Sequence, residues 1–345
     1  MDDHAAPERT VSGHAVTIQD IAREAGVSKM TVSQVLNNRG RISDATRERV
    51  LGIAKDLGYV ANAAARSLRG GRTNLVGLVV QELGNAYYAE ILRGASSAIQ
   101  ERGLDVILYT ASYDPQRERR SVAALSGGLT DGLVLITPFE DVEALQALGK
   151  LRTPVVLVNH FDRNTNLPEV NADNYQGIKD AVRHLHDLGH RRVAYLTGGG
   201  GASSVIRQRG YHDALHELGL PPAGDLLVEG DYSQPTGRAL THRLLDRADP
   251  PTAILAANDF VAYGVLEAVR ERGLSVPTDI SVVGFDDIPM SSQVSPALTT
   301  IRHPLEDIGR TAVQLLLDAL EGNRTEGTVT LPSQLVVRQS TGPPR

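Results

Sequence analysis

The sequence predicts a small all-helical N-terminal module followed by a larger α/β core of two doubly wound parallel-sheet lobes. Three observations lead there. Residues 17–57 contain three stretches with helical apolar spacing, punctuated by Gly26 and Ser43. From Leu75 onward, short continuous apolar runs alternate with amphipathic stretches, the pattern of parallel strands covered by helices on both faces. That pattern runs for about 270 residues, more than one such sheet organises, so it divides into two lobes.

The first element lies in TIQDIAREAGVSKMTVSQVL, residues 17–36. Ile18, Ile21, Ala22 and Ala25 recur at helical spacing and form one buried stripe. Thr17 with Asp20 three residues on is close to a capping box. Gly26 supplies the turn, Val27 plugs the core and Ser28 caps a second helix. Val32, Val35 and Leu36 face inward. Lys29, Met30, Ser33 and Gln34 share the other face, because 29/33 and 30/34 are each four apart. A polar face on the second helix of such a pair is what enters a DNA major groove. An ordinary helical hairpin with a solvated face fits these residues too, so the rest of the chain must decide. A third helix runs from Ser43 to about Leu57, with Val50, Ala54 and Leu57 inward and Gly58 at its end. Three helices over roughly 45 residues make a marginal domain, near the lower size limit for folding alone.

Residues 61–74, ANAAARSLRGGRTN, have helix propensity but only Leu68 to bury, and Gly70-Gly71 follow. They read as a hinge helix of low intrinsic stability leading into a flexible link. The core strands are then expected at 75–80, 105–110, 132–137, 155–159, 192–198, 253–258 and 281–287, with helices such as 87–103 and 259–273 between them. Two helices end alike, in QERGLDV (100–106) and RERGLSV (270–276). This fits either a duplicated lobe or shared helix-to-strand punctuation.

Charge is distributed unevenly. The whole chain carries −6, but residues 15–72 hold ten Lys/Arg against five Asp/Glu and net +5, leaving −2 for 1–14 and −9 for 73–345. A basic module tethered to an acidic one is the footprint expected when only the N-terminal part meets phosphate. There is no cysteine, which excludes disulfides and Cys-ligated metal and fits a reducing compartment. No apolar run approaches membrane-spanning length. The first fourteen residues are acidic without an apolar core, so they read as a disordered tail rather than a secretory signal, and the expected location is cytoplasmic.

In open parallel sheets, ligands sit at the carboxyl ends of strands. Here those ends carry hydroxyl-seeking residues: Thr137, Asn159, Asn258 with Asp259, and Asp286 with Asp287. Arg207, near the start of a helix after the glycine run 198–201, can complete a grip on a vicinal diol. Tyr87 and Tyr88 can stack on a ring. Each residue alone fits a cap or turn equally well; their convergence at strand ends is what marks a site. Enzyme signals are poor. TGGGGAS (197–203) lacks both the P-loop Lys and dinucleotide spacing, and reads as a mobile loop at the cleft. His184, His186 and His190 cannot share one helix face and read as a solvated helix end rather than a metal site. There is no nucleophile elbow or H-E-x-x-H, and adjacent Asp286 and Asp287 cannot flank a bond as a catalytic pair does.

With these residues in view, the chain resembles the lactose-repressor (LacI/GalR) family of bacterial transcription regulators. The likeness runs from Val16 to Ser340 through VTIQDIAREAGVSKMTVSQVLN, NAAARSL, DGLVLITP, PTAILAANDFVAYG, DISVVGFDDIP and LTTIRHPLEDIGRTAVQLLL. It implies a dimer, a helix-turn-helix headpiece and a two-lobed, periplasmic-binding-protein-like core. It also implies a small effector, a sugar or nucleobase-like molecule, that closes the cleft and changes affinity for a palindromic operator. Carried over by position, Lys29, Met30 and Gln34 would read bases. Ser28, Thr31, Ser33 and Asn37 would hold phosphates, and Ala65 and Leu68 would lie at the minor groove, with Leu68 as the wedge. The effector would meet Tyr87, Tyr88, Thr137, Asn159, Arg207, Asn258 and Asp286. No cofactor, metal, membrane or catalytic residue is implied.

The resemblance sets the expected layout. Residues 1–14 are the tail, 15–60 the headpiece, 61–72 the hinge and 73–345 the core. The N-lobe takes about 73–171 and 301–330, the C-lobe about 172–300 and 331–341. The chain departs from many relatives in having Gln34 for Arg and Ala61 for Pro. Gln suits adenine, Lys suits guanine, and Met makes apolar contact only, so the half-site should differ. C-terminal apolar heptads are missing, so a dimer is expected rather than a tetramer. Two alternatives remain: a periplasmic-type binding protein without a DNA role, against which the basic headpiece argues, and an α/β sugar enzyme, for which no catalytic constellation is visible.

Overall fold

The structure is a computed structural model describing residues 16–36, 40–59, 72–138, 142–161, 165–323 and 327–345. The expected tail (1–14), Asn37, and the hinge with Ala65 and Leu68 lie outside the described residues. The chain divides into two compact units, Met1–Gly71 and Arg72–Arg345.

In the first unit, α1 is Ile18–Ala25, α2 Lys29–Leu36 and α3 Asp44–Asp56. The Thr17–Asp20 capping box is complete: Asp20 N–H reaches the Thr17 hydroxyl, and Thr17 N–H reaches the Asp20 carboxylate at 3.0 Å. Two orphan donors are satisfied at once. Gly26 ends α1 at φ +62°, a left-handed conformation that a side chain would strain. Ser28 accepts from Thr31 N–H at 3.0 Å, and Ser43 accepts from Thr46 N–H at 3.4 Å. The core of this unit is Ile21, Ala22, Ala25, Val32, Val35, Val50 and Ala54.

The second unit starts with β1 Leu75–Val80, α4 Ala86–Glu101, β2 Asp105–Thr110, α5 Pro115–Ser126, β3 Gly132–Ile136, α6 Val142–Leu148, β4 Val155–Val158 and β5 Glu169–Ala172. Then come α7 Asn174–Asp187, β6 Val193–Leu196, α8 Ala202–Glu217, β7 Leu227–Val228, α9 Gln234–Leu245, β8 Ala253–Ala256, α10 Asp259–Glu271, β9 Ser281–Asp286 and β10 Thr299–Arg302. Finally α11 Leu305–Leu320 and β11 Thr328–Leu331 return to the first lobe, and β12 Gln334–Val336 to the second. One sheet runs β11-β5-β4-β3-β1-β2 and the other β12-β10-β9-β8-β6-β7. Neighbours are parallel except β10 and β12, which are antiparallel, so the second sheet is not purely parallel as expected. Buried strands such as Gly132–Ile136 and Ala253–Ala256 read as continuous apolar runs because helices cover both faces.

The two sheets repeat one strand order. QERGLDV, however, leads from α4 into β2, whereas RERGLSV lies between α10 and β9, a connection at a different place in that order. The likeness is therefore punctuation: Gly103 and Gly273 end their helices at φ +67° and +69°.

Lobe boundaries shift from the expected ones. Arg302 still pairs with Asp286 and Gln334, so the chain leaves the second lobe at His303-Pro304 rather than at 301. Ala172 and Leu331 pair with each other in the first sheet, so both belong to the N-lobe rather than to the C-lobe segments beginning there. His190 is also not at a solvated helix end. It is buried, with Nδ1 2.9 Å from the Thr252 hydroxyl and Nε2 2.9 Å from Ser281 Oγ and from the Gly342 carbonyl. It stitches the C-terminal segment onto the second lobe.

Candidate functional site

On the first unit, Lys29 and Met30 stand free at the start of α2, with Met30 71% exposed. Ser33 and Gln34 are half-buried rather than outside. The Gln34 carboxamide lies over Gly40, close enough that a Cβ there would sit 3.1 Å from its carbon. The hydroxyls of Ser28 and Thr31 are 2.9 Å apart at the same helix start. This helix end offers a cation, an apolar tip and two hydroxyls, with N-terminal backbone N–H groups suited to phosphate.

In the second unit, residues of both lobes meet at the carboxyl ends of the strands. Asn85 caps α4 by accepting from Tyr87 N–H at 2.9 Å, which sets Tyr87 and Tyr88 side by side, their rings edge-on at 5.3 Å. Asn159, at φ +54° after β4, donates from Nδ2 to the Tyr87 hydroxyl at 2.5 Å. The turn behind it is held by buried Glu169, whose carboxylate accepts from His160 N–H at 3.1 Å and from Phe161 N–H. Tyr88 is a core ring whose hydroxyl lies 3.0 Å from Thr137 Oγ1, so it is built in rather than offered as a stacking face.

From the other lobe comes Arg207, 5% exposed on α8. Its Nε donates to Asn174 Oδ1 and its Nη1 to the Ala257 carbonyl, each at 2.5 Å, and its guanidinium lies 3.8 Å over the Phe285 ring. Asn258 caps α10, accepting from Val261 N–H at 2.8 Å and donating to the Tyr232 carbonyl at 3.1 Å. Both ends of its side chain thus serve the fold. Asp286 is buried at φ +116°, its carboxylate Oδ1 unpartnered. Burial pushes its carboxyl well above the usual range, with Arg207 working against the rise and Asp259 adding to it. Burial likewise pushes the Tyr87 hydroxyl up, and both Asp286 and Arg207 act on it across the lobes.

Tyr87, Asn159, Arg207 and Asp286 thus form one cluster. Tyr88 and Thr137 pair with each other on the first lobe, and Asn258 stands behind as a cap. The cluster contains residues not foreseen from the sequence. Phe285 was hidden inside an apolar strand. Tyr232 packs on Gly198, where a Cβ would fall 1.8 Å from its ring. His303 follows β10, whose Thr-Thr-Ile-Arg gives no apolar run. Buried Tyr195 Oη and Thr197 Oγ1, at the end of β6, are unpartnered too. Buried polar atoms without partners are rare in folded proteins, and their concentration at strand ends is what a site for a hydrogen-bonding ligand leaves behind. Among the described residues no group of three or more His, Cys, Asp or Glu could hold a metal, and no helix is long and apolar enough to cross a membrane.

Comparison with known proteins gives the same two parts. Residues 17–62 match the bacterial regulatory proteins of the lacI family, and residues 182–341 match the periplasmic binding protein-like domain. The chain is 33% identical over 332 residues to the HTH-type transcriptional regulator DegA of Bacillus subtilis (strain 168), covering 95% of this chain and 98% of that protein. It is 35% identical over 336 residues to the HTH-type transcriptional regulator CelR of Thermobifida fusca, covering 94% and 98%. Among solved structures, the Lac repressor dimer bound to operator and the anti-inducer ONPF aligns with TM-score 0.86 at 32% identity, covering 95% of this chain and all of that one. A complex of transcriptional regulator CelR with cellobiose aligns with TM-score 0.72 at 34% identity, covering 94% and 99%. The chain belongs to the lacI family of bacterial regulatory proteins.

Proposed function

We propose that this protein is a transcriptional repressor that binds a palindromic operator as a homodimer and changes its operator affinity when a sugar occupies the cleft between its core lobes. Lys29, Met30 and Gln34 read bases, Ser28, Thr31, Ser33 and Asn37 hold phosphates, and Ala65 and Leu68 meet the minor groove. Tyr87, Asn159, Arg207 and Asp286 grip the effector, with Tyr88, Thr137 and Asn258 shaping the walls. The protein acts in the cytoplasm, where its operator is, and needs no cofactor and performs no catalysis.

One observation carries the reading of the cleft. A buried carboxyl with an unpartnered Oδ1, Asp286, and a buried guanidinium, Arg207, act on each other and on the Tyr87 hydroxyl of the opposite lobe. Together they offer hydrogen-bond donors and acceptors to one ligand, which suits an uncharged polyhydroxylated molecule. CelR with cellobiose and the Lac repressor with ONPG supply the sugar precedent among relatives. The edge strand β2, with Leu108 39% exposed beside Tyr109, Arg117 and Arg120 around a hollow of about 540 Å³, supplies surface open to a second copy.

The test is selection of bound sites from random duplex DNA, with full-length protein beside a version lacking residues 1–72. Enrichment of a palindrome by the full-length protein alone supports the reading, and a mixture of sugars should then change recovery. If neither protein enriches a site, with or without that mixture, the regulator reading fails.

A further inference from the structure

His303 stands where the chain leaves β10 for α11, at one of the crossings between the lobes. Its side chain is buried, set edge-on to Phe285 at 4.7 Å and 6.4 Å from the Tyr87 ring. Both ring nitrogens are buried without a hydrogen-bond partner. Nδ1 lies 3.5 Å from Asp286 Oδ1, which has no partner either. The left-handed backbone of Asp286 is a conformation that side chains rarely adopt and that folds retain at functional positions.

The ring beside a carboxylate has a defined tautomer. With Asp286 ionised, the proton sits on Nδ1 facing Oδ1, and Nε2 is a bare acceptor. With Asp286 protonated, the carboxyl donates to Nδ1, the ring proton moves to Nε2, and the acceptor becomes a donor. The groups facing this pair are Arg207 from α8, Asp259 and Tyr263 from α10, Tyr87 from α4 and the neighbouring Asp287. Asp287 is tied to Arg302 and Arg338, both at 2.7 Å. Asp259 is bound by Ile288 N–H, Ser291 and Thr300.

We propose that Asp286 and His303 form one proton-carrying pair in the effector cleft, and that a ligand hydroxyl binds its deprotonated form, so that effector binding releases a proton to solvent. The inference rests on the reading of the cleft as a sugar site. Hydroxyl donors prefer the ionised carboxylate because charge-assisted bonds are the stronger ones. Burial favours the proton on Asp286 when the cleft is free and keeps His303 neutral, with Arg207 acting further on the ring.

The experiment is calorimetric titration of the full-length protein with D-glucose, D-ribose and cellobiose from about pH 5.5 to about pH 8.5, in paired buffers of different ionisation heat. On the acid side of the pair's titration, Kd should weaken by about tenfold per pH unit, with close to one proton released. Asp286→Asn should flatten that slope, and His303→Gln, which leaves the carboxyl to titrate without its imidazole partner, should move it to a different pH range. A ligand-free measurement stands beside it: the ¹⁵N shifts of the His303 ring should report a proton on Nδ1 above the transition and on Nε2 below it. If a sugar binds with a pH-independent Kd, if His303→Gln leaves the slope in the same pH range, or if Nε2 is protonated throughout, the pair does not exist as described while the sugar reading stands. If none of the three sugars binds at any pH, the sugar reading fails and the inference with it.

Discussion

Replacing Arg207 by Met tests whether the cleft is organised around a buried cation. The change keeps the length and apolar stem of the side chain but removes its charge and donors. Asn174 Oδ1 and the Ala257 carbonyl lose the bonds Arg207 gave them, each at 2.5 Å, and Phe285 loses the cation over its face. A stranded buried acceptor costs about 1–3 kcal/mol, and a desolvated cation–π contact about 2. Met packing and relief from burying a charge offset part of this, leaving about 2–5 kcal/mol. That range is the expected deficit in urea unfolding of the core, followed by circular dichroism because the chain has no Trp. The deficit should also depend on pH. Asp286 holds its proton more tightly folded than at its ordinary value of 3.8, so its contribution is fully present below that value and is lost as pH rises through the folded one. Without Arg207 the folded value climbs further, and the loss extends over a wider window. The variant should therefore fall behind wild type by about 1.4 kcal/mol more for each pH unit across that added window. A deficit under about 1 kcal/mol, below the cost of one stranded acceptor, or one that shrinks as pH rises, would mean that Arg207 does not organise the cleft.

Three further outcomes follow. Gly309→Ala puts a Cβ 2.1 Å from the Ile91 carbonyl where α11 crosses α4, so the helices must part; a loss of about 1–3 kcal/mol is expected in thermal unfolding, and an unchanged Tm would contradict the packing. Gln34→Arg should shift one half-site position from adenine toward guanine, by about 1–3 kcal/mol, in the same selection from random DNA; an unchanged preference would remove Gln34 from base reading. Burial lowers the His190 pKa, so its contribution is present above the ordinary value of 6.5 and lost as pH falls through the folded value. His190→Gln should accordingly narrow the gap between Tm at neutral and at acid pH, and an equal gap in both proteins would count against it.

What could be read from the sequence was whatever local chemistry writes. The capping box at Thr17 and Asp20, the turn at Gly26 and the apolar runs of β1, β3, β8 and β9 need only their own residues. Thr299-Thr-Ile-Arg was missed because its polar members are satisfied far along the chain: Thr300 by Asp259, 41 residues away, and Thr299 by the backbone of Arg338, 39 away. The polar residues of Glu169-Val-Asn-Ala and Gln334-Leu-Val likewise break the apolar run that marks a buried strand. His190 misled for the same reason, since its partners Thr252, Ser281 and Gly342 come from three distant segments. Strand-end logic singled out Asn159, Arg207 and Asp286, which the structure brings into one cluster with Tyr87. It missed His303 because the preceding strand was itself invisible, and it could not tell that Asn258 would spend both ends of its side chain on the fold.

α11 begins two residues after His303 and ends at Leu320, whose carbonyl accepts from Arg72 at 2.8 Å. The next residues, Thr73 and Asn74, are bonded to Asp131 through both carboxylate oxygens. A helix of 16 residues, about 24 Å long, therefore runs from the edge of the effector cleft to the root of the segment leading to the N-terminal unit. It is packed along α4 and the first sheet, with Gly94 and Gly309 allowing close backbone approach, so it moves with its lobe as a rigid piece. Any rearrangement of the lobe crossing at one end of α11 would reach the anchor of residues 72–74 at the other. Linkage then requires operator binding to change sugar affinity by the same factor.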